Sequence, residues 1–219
     1  MKRAMTDSAK AEKARLILDA ALDLYKRGTF EEIKMSDIAR AAKVSKGTMF
    51  YYYSTKETLF MEIMFLEYEK RFADFERLLL PVKSMTYAEF KRFFLKEMES
   101  ILDLDSVLIR LIAIKSTVLE KNIDYETTLK VSLGLFRLLE KIVGLLTERV
   151  EGIEAEAYYE LLQAQSAIMV GYANAASMPE AMQQVVTEHK MDGFRVDFAQ
   201  NSLQAMAYYL DGVYARQQC

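Results

Sequence analysis

The run Ser45-Lys46-Gly47-Thr48 sets four useful chemistries side by side. A serine hydroxyl caps a helix by accepting a backbone N–H from its first turn. Lys46 supplies a cation that can reach a phosphate or the O6/N7 edge of a guanine. Gly47 lets the backbone approach a surface closely. The Thr48 hydroxyl and methyl suit a base edge or a phosphate oxygen. Free N–H groups at a helix start also favour an anion. Four aromatics follow, Phe50-Tyr51-Tyr52-Tyr53, and then Lys56. On a helix Phe50 and Tyr53 are three apart and share a side, with Tyr53 turned to the core. Tyr51 and Tyr52 then face outward, where phenols bond phosphate oxygens. Lys56 falls in the first turn of the next helix, where the dipole disfavours a cation unless a phosphate offsets it. The competing reading makes the aromatics core residues and Lys56 a solvated charge.

These residues need short helices to present them. The spacing predicts a first helix over about Ala9–Arg27, capped by Ser8 and closed by a left-handed Gly28. Its apolar face is Ile17, Ala20, Ala21, Leu24 and Tyr25, and Phe30 pins the following turn. A second helix over Met35–Ala42 turns Ile38, Ala39 and Ala42 inward, and Lys43-Val44 makes the turn. Ser45 caps a third helix that runs to Tyr52. A long helix begins at Lys56 and ends near Leu80, before Pro81. Two helices crossed by a tight turn form a helix-turn-helix.

The remaining chain reads helical as well. The expected spans are Tyr87–Asp103, Ser106–Glu120, Tyr125–Val150, Glu154–Ser177 and Val196–Arg216, with a short helix in the connection 178–195. With 219 residues, 52% of them hydrophobic, the chain can bury a sizeable core. Two prolines and eight glycines leave little room for turn-rich β folds. Charge is uneven. Residues 1–56 carry 12 Lys and Arg against 7 Asp and Glu, a net of +5, while residues 57–219 carry −8. A basic head on an acidic body means that only the head suits a polyanion.

The single cysteine, Cys219, leaves no disulfide framework and no cysteine metal cluster. Met1 to Lys13 lacks an apolar signal region, and even the apolar run Val107–Ile114 contains Arg110. A cytoplasmic setting, no membrane and no cofactor are the expectations. The only histidine, His189, reads as a surface residue, and HExxH, GxSxG, P-loop and GxGxxG patterns are missing from the sequence. Asp103 and Asp105 flank a helix break, where capping is the usual work of an aspartate.

The head resembles the tetracycline-repressor (TetR) family of bacterial regulators. The resemblance rests on Gly28 and Phe30, Asp37-Ile38-Ala39, Ala42, Val44-Ser45-Lys46-Gly47-Thr48, Tyr52, Lys56-Glu57 and Leu59. It covers about residues 12–60. It implies an all-α fold: an N-terminal three-helix DNA-binding head with a helix-turn-helix (residues 1–56) and a C-terminal helical effector-binding and dimerisation domain (57–219). It implies a homodimer that leaves a double-stranded DNA operator when a small-molecule effector binds. By the same resemblance Lys46, Gly47, Thr48 and Phe50 read bases beside Ser36, and Tyr52 and Lys56 hold phosphates. Three departures stand out. Lys43 replaces the usual turn glycine. Ile33-Lys34 replaces a threonine pair, leaving Lys34 to make the phosphate contact. Phe50 replaces a commoner tyrosine and loses a hydroxyl.

In the body, Ala167, Gly171 and Ala175 recur every four residues, a smooth ridge that admits a partner helix. Leu161, Ala164 and Ile168 flank it, and Leu203, Met206 and Leu210 keep helical spacing in the last helix. These residues are the expected dimer interface, although such faces also suit a domain core. Met64, Tyr68, Phe94, Met98, Ile112, Phe136, Met169 and Tyr172 are the candidate lining of an apolar or amphipathic pocket, although such stripes more often form core. The DNA-binding set is Lys34, Ser36, Ser45, Lys46, Gly47, Thr48, Phe50, Tyr51, Tyr52 and Lys56. The expected function is a ligand-responsive DNA-binding transcriptional regulator, a repressor by preference, and not an enzyme. The alternatives are an all-helical ligand-binding scaffold without DNA binding, or a transcriptional activator. Operator, effector and regulated genes are not readable from these residues.

Overall fold

A computed structural model describes residues 7–217. Cys219 and the first six residues of the Met1–Lys13 segment lie outside the described residues. Among the described residues the regular structure is helical: α1 (Asp7–Tyr25), α2 (Met35–Ala41), α3 (Lys46–Tyr52), α4 (Lys56–Leu79), α5 (Tyr87–Glu99), α6 (Val107–Ile114), α7 (Tyr125–Arg149), α8 (Ala155–Ala176), α9 (Glu180–Glu188) and α10 (Phe198–Gln217). Short 3-10 turns cover Leu119–Asn122 and Asp192–Phe194.

The chain forms two compact units. One contains the residues up to Glu67 together with Ile114–Leu133; the other contains Tyr68–Ala113 and the chain from Gly134 on. Both α4 and α7 continue without a break through the residues where the units part.

The first unit is a small aromatic-centred core. Phe60 of α4 is fully buried, with Tyr25 of α1 at 5.1 Å and Phe30 at 5.2 Å, both edge-on. Such edge-to-face pairs add roughly 0.5–1.5 kcal/mol beyond their burial. Ile17, Ile38 and Met49 complete the interior and tie α1, α2 and α3 to one another. The segment before α7 is bonded into the same unit. The Thr55 hydroxyl donates to the Asn122 carbonyl at 3.1 Å, the Asn122 amide donates to Glu57 at 3.3 Å, and Lys130 pairs with Glu62 at 3.6 Å.

The second unit centres on α5, α8 and α10. Phe90 and Tyr158 meet edge-on at 5.7 Å, and both are fully buried. α8 runs antiparallel to α10, with Arg216 on Glu160 at 2.7 Å and the Glu154 N–H on Gln217 at 3.4 Å. α5 meets α10 through the stacked rings of Tyr87 and Tyr214 (3.8 Å) and the Lys91–Asp211 pair (2.6 Å). Thr86 and Glu89 form a reciprocal capping box that starts α5.

Several local expectations are corrected. Ser8 is not a cap; it is already the second residue of α1. Gly28 is not left-handed: among the described residues the positive-φ ones are Lys43, Lys190 and Gly152. The turn after α1 is held instead by Glu32, whose carboxylate accepts the Thr29 N–H at 2.9 Å. The span Ser106–Glu120 splits, because α6 stops at Ile114 and a 3-10 turn follows. Lys115-Ser116-Thr117-Val118 is poor in helix formers, and the Thr117 hydroxyl bonds the Ile114 carbonyl at 3.4 Å. Connection 178–195 holds α9, and His189 is its exposed C-terminal cap.

Candidate nucleic-acid interface

α2 and α3 have seven residues each, so their ends define them as much as their length. α2 closes with a Schellman motif: the Val44 N–H bonds the Ala39 carbonyl at 2.9 Å, and the Lys43 N–H bonds Arg40 at 3.2 Å. That motif requires a left-handed residue, and Lys43 provides it at φ 54°. Lysine thus occupies the glycine conformation unchanged, at a cost of about 1 kcal/mol. The same device recurs at the end of α9, where Lys190 has φ 53°.

Ser45 caps α3 as its type implies. Its hydroxyl accepts the Thr48 N–H at 3.1 Å and lies 2.8 Å from the Thr48 hydroxyl. The cap therefore fixes the Thr48 side chain as well as the helix start. Lys46, Gly47 and Phe50 are exposed, Phe50 to 45%, and Tyr51 is exposed to 71%. A Cβ at Gly47 would touch only the Ser45 hydroxyl, at 3.9 Å, so this helix face is open. Lys34 begins α2 in extended conformation and makes no side-chain cap. It is exposed, as is Ser36.

Lys34, Ser36, Lys46 and Phe50 border one open cleft between α2 and α3, about 490 Å3 in volume, which Ser45, Gly47, Thr48 and Tyr51 do not line. Met35, Ala39, Val44, Met49 and Phe50 supply apolar surface, and Lys34, Arg40 and Lys46 stand as cations around it. The Lys46 ammonium lies 6.0 Å from the Phe50 ring centre. Arg40 was not in the sequence-derived set. Its exposed guanidinium pairs with Asp37 at 3.4 Å, and it stands one helical turn after Ser36. That four-residue spacing was the cue that could have found it.

Three sequence assignments are corrected here. Lys56 does not extend outward. Its ammonium donates to the Phe30 carbonyl at 2.5 Å and the Ile33 carbonyl at 2.9 Å, and sits 4.0 Å from the Phe30 ring centre. Burial pushes its pKa down, with Glu57 and Glu31 opposing. The cation is used to fasten the α1–α2 turn to α4. The Tyr52 phenol oxygen is buried, without a hydrogen-bond partner among the described residues, so it does not present itself to a phosphate. Its ring meets Tyr51 edge-on at 5.2 Å. Tyr53 does turn to the core, at 3% exposure, but it does not share a side with Phe50, because it leaves the helix at φ −135°. Burial raises the Tyr53 hydroxyl pKa well above its usual value, helped by Glu62.

The body residues divide by exposure. Leu161, Met206 and Leu210, expected on a dimer face, are a correction: each is buried within the single chain, in the packing of α8 on α10. Ala167, Gly171 and Ala175 do lie exposed along α8, and Ala164, Ile168 and Leu203 are half-buried. Among the candidate pocket residues, Met64 is buried in the first unit. Phe94, Met98, Ile112 and Met169 are buried in the second unit, and Tyr172 is half-buried there. The Tyr68 hydroxyl bonds Ser166, and burial pushes its pKa up to about 12. Phe136 is a correction, 49% exposed on α7 and no part of an enclosed lining.

Among the described residues no group of three or more His, Cys, Asp or Glu is placed to hold a metal ion. No helix among them is long and apolar enough to cross a membrane.

Comparison with known proteins finds two family models, one at each end of the chain. The family model for bacterial regulatory proteins of the tetR family matches residues 17–63, and that for the tetracyclin repressor-like C-terminal domain matches residues 98–217. An uncharacterized HTH-type transcriptional regulator YuxN of Bacillus subtilis (strain 168) is 33% identical over 61 residues, 28% of this chain and 21% of that protein. The HTH-type transcriptional repressor KstR of Rhodococcus jostii (strain RHA1) is 32% identical over 66 residues, 30% of this chain and 31% of that protein. The matched stretches thus span under a third of either relative. The fold is similar to that of the fatty acid degradation regulator FadR from Bacillus halodurans, with a TM-score of 0.57 at 15% identity over 96% of this chain and 98% of that one. The C-terminal match alone covers more than half of the sequence, and the chain belongs to the tetracycline-repressor (TetR) family of transcriptional regulators.

Proposed function

We propose that this regulator is a homodimeric repressor whose α2–α3 tip grips an operator and whose body releases it on binding an apolar or amphipathic molecule. The observation that carries the reading is the tip itself: Lys34, Ser36, Lys46, Gly47, Phe50 and Tyr51 all stand exposed, with Thr48 fixed beside them by the Ser45 cap. Exposing that much aromatic surface is unfavourable in water and suits a partner that covers it. Arg40 joins the cationic set, while Lys56 and Tyr52 act on the head from within.

Two copies paired through the exposed α8 ridge of Ala167, Gly171 and Ala175 would present two tips to successive major grooves, about 34–36 Å apart or a multiple of that. A Cβ at Gly171 meets no atom within 4 Å in the single chain, which leaves room for a partner helix. Effector binding needs a coupling of only about 1–3 kcal/mol to change occupancy 5–150-fold. α4 and α7 each span residues of both units, and within the head unit Thr55 and Glu57 at the start of α4 are bonded to Asn122 just before α7, so a rotation of either helix would be felt by the other there.

Selection of bound sites from random duplex tests the reading. A two-fold symmetric site is expected, and Lys46→Ala should weaken binding to it by roughly 1–3 kcal/mol. Recovery of no enriched sequence overturns the operator reading. Sedimentation of Gly171→Arg tests the dimer face: monomers are expected, and an unchanged mass overturns that assignment.

A further inference from the structure

We infer that Asn122, in the 3-10 turn before α7, is a positioning residue for DNA binding. It latches the start of α4 to the chain that enters α7, and so holds each tip at the spacing its half-site requires. This deepens the homodimeric DNA-binding reading above and rests on it.

The latch lies at the junction of α3 and α4. α3 ends at Tyr52 and α4 begins at Lys56, with only Tyr53, Ser54 and Thr55 between them. Three successive residues at that junction face two different supports. Lys56 is bonded to the Phe30 and Ile33 carbonyls, inside the three-helix head. Thr55 and Glu57, on either side of it, are both bonded to Asn122. The Thr55 hydroxyl donates to the Asn122 carbonyl at 3.1 Å, and the Asn122 amide donates to the Glu57 carboxylate at 3.3 Å. The Thr55 oxygen also accepts the Thr58 N–H at 3.1 Å, so the atom that caps α4 is the one that holds the turn. Lys56 therefore ties the head to itself, and Asn122 ties it to the start of α7.

The turn is itself held in place. Leu119 within it is fully buried and Val131 of α7 is buried, both in the compact unit that contains α1, α2 and α3. Lys130 of α7 pairs with Glu62 at 3.6 Å, and Glu62 also accepts from the Tyr53 hydroxyl at the end of α3. The ties at Glu57 and Glu62 lie more than a turn apart on α4, so the helix does not swing about a single point.

Such a tie matters most to a molecule that must place two tips at once. Half-sites a fixed number of helical turns apart leave little tolerance in distance or direction. Freedom left in the head is lost when both tips engage, and that loss weakens binding. Asn122 is exposed, so removing its side chain takes away a hydrogen bond and little buried surface. Its contribution is to orientation more than to stability, and the two can be measured apart.

The test uses the full-length protein, the two-fold symmetric duplex recovered by selection, and the same duplex lengthened by one base pair at its centre. The insertion moves the half-sites about 3.4 Å apart and turns them by about 35°. Wild type should bind the lengthened duplex much more weakly. Asn122→Ala should weaken binding to the selected duplex by about threefold, the weight of one exposed hydrogen bond, and narrow the gap between the two duplexes by a similar factor. Its melting temperature should stay near that of wild type. Asn122→Asp sets a carboxylate against Glu57 and should narrow the gap further. The exchange E57Q/N122D turns the amide and the carboxylate the other way round at unchanged net charge, and should restore the wild-type gap. A gap that keeps its wild-type value in Asn122→Ala and Asn122→Asp overturns the proposal, as does an exchange that fails to restore it. A fall in melting temperature with no change in the gap overturns it too, since Asn122 then serves stability alone. Equal binding of both duplexes by wild type overturns the homodimeric reading beneath it, and the proposal with it.

Discussion

In the α2–α3 tip, Phe50 and Tyr51 stand 45% and 71% exposed; in the α8–α10 pair, Tyr158, Leu161 and Met206 are fully buried. Both regions are aromatic-rich and helical, yet they use apolar side chains in opposite ways. In the α8–α10 contact these three side chains cohere with one another and the hydrophobic effect explains their placement, although Tyr208 of α10 stays 68% exposed. In the tip they remain in water beside cations, an arrangement that suits the partner proposed to cover it. In this account the packing of α8 on α10 and the proposed recognition at the tip rest on different residues, so each can be perturbed separately.

The largest expected effect lies in the body. Leu161→Ala should cost about 2–5 kcal/mol, because the residue is fully buried between helices. Urea unfolding at fixed protein concentration measures it. A cost below about 1 kcal/mol would mean that Leu161 is not core, and the comparison would break.

Next comes Lys56→Ala, which leaves the Phe30 and Ile33 carbonyls without their charged donor. A loss of roughly 1–3 kcal/mol is expected from bonds of that kind. Thermal unfolding should show it, while DNA affinity per folded molecule stays nearly constant. A large loss of affinity with no change in melting would return Lys56 to the phosphate set.

Smaller, and of opposite sign, is Lys43→Gly. Relief of the left-handed lysine should stabilise the head by about 0.5–1 kcal/mol. Lys190→Gly is the matched control in the body, with the same φ and the same cap. Both variants should melt later than wild type. If Lys43→Gly also weakens DNA binding and Lys190→Gly does not, the lysine is retained in the turn for its charge.

The smallest effect concerns pH. The Lys91 ammonium beside Asp211 holds that carboxyl below the usual carboxylate range, with Tyr87 assisting. A depressed folded-state pKa stabilises above the unfolded value, and that stabilisation is lost as pH falls through the folded one. Asp211→Asn should therefore melt below wild type at neutral pH and converge with it in acid. Parallel melting curves across that range would remove Asp211 from the α5–α10 contact.

The sequence was most legible where short-range chemistry decides structure. Ser45 had to cap α3, and the tight Lys43-Val44 turn had to separate two short helices, because these features depend on neighbours within a few residues. It was less legible where a side chain chooses between two surroundings. Lys56 looked like a phosphate ligand because its carbonyl partners, Phe30 and Ile33, lie more than twenty residues away. Leu161 and Met206 keep the spacing of an outer face and of an inner one equally well, since periodicity gives a helix's apolar side but not what covers it. Gly28 was assigned its conformation from residue type, but the Glu32 carboxylate closes that turn without it.

The central claim is that the α2–α3 tip closes on the charged groove of a duplex. Titrating the selected DNA with wild-type protein across salt concentration tests it most directly. Affinity should fall linearly and steeply on logarithmic axes, with a slope of about −0.9 per phosphate neutralised. An affinity indifferent to salt, or equal binding to DNA and to an uncharged competitor, would contradict it.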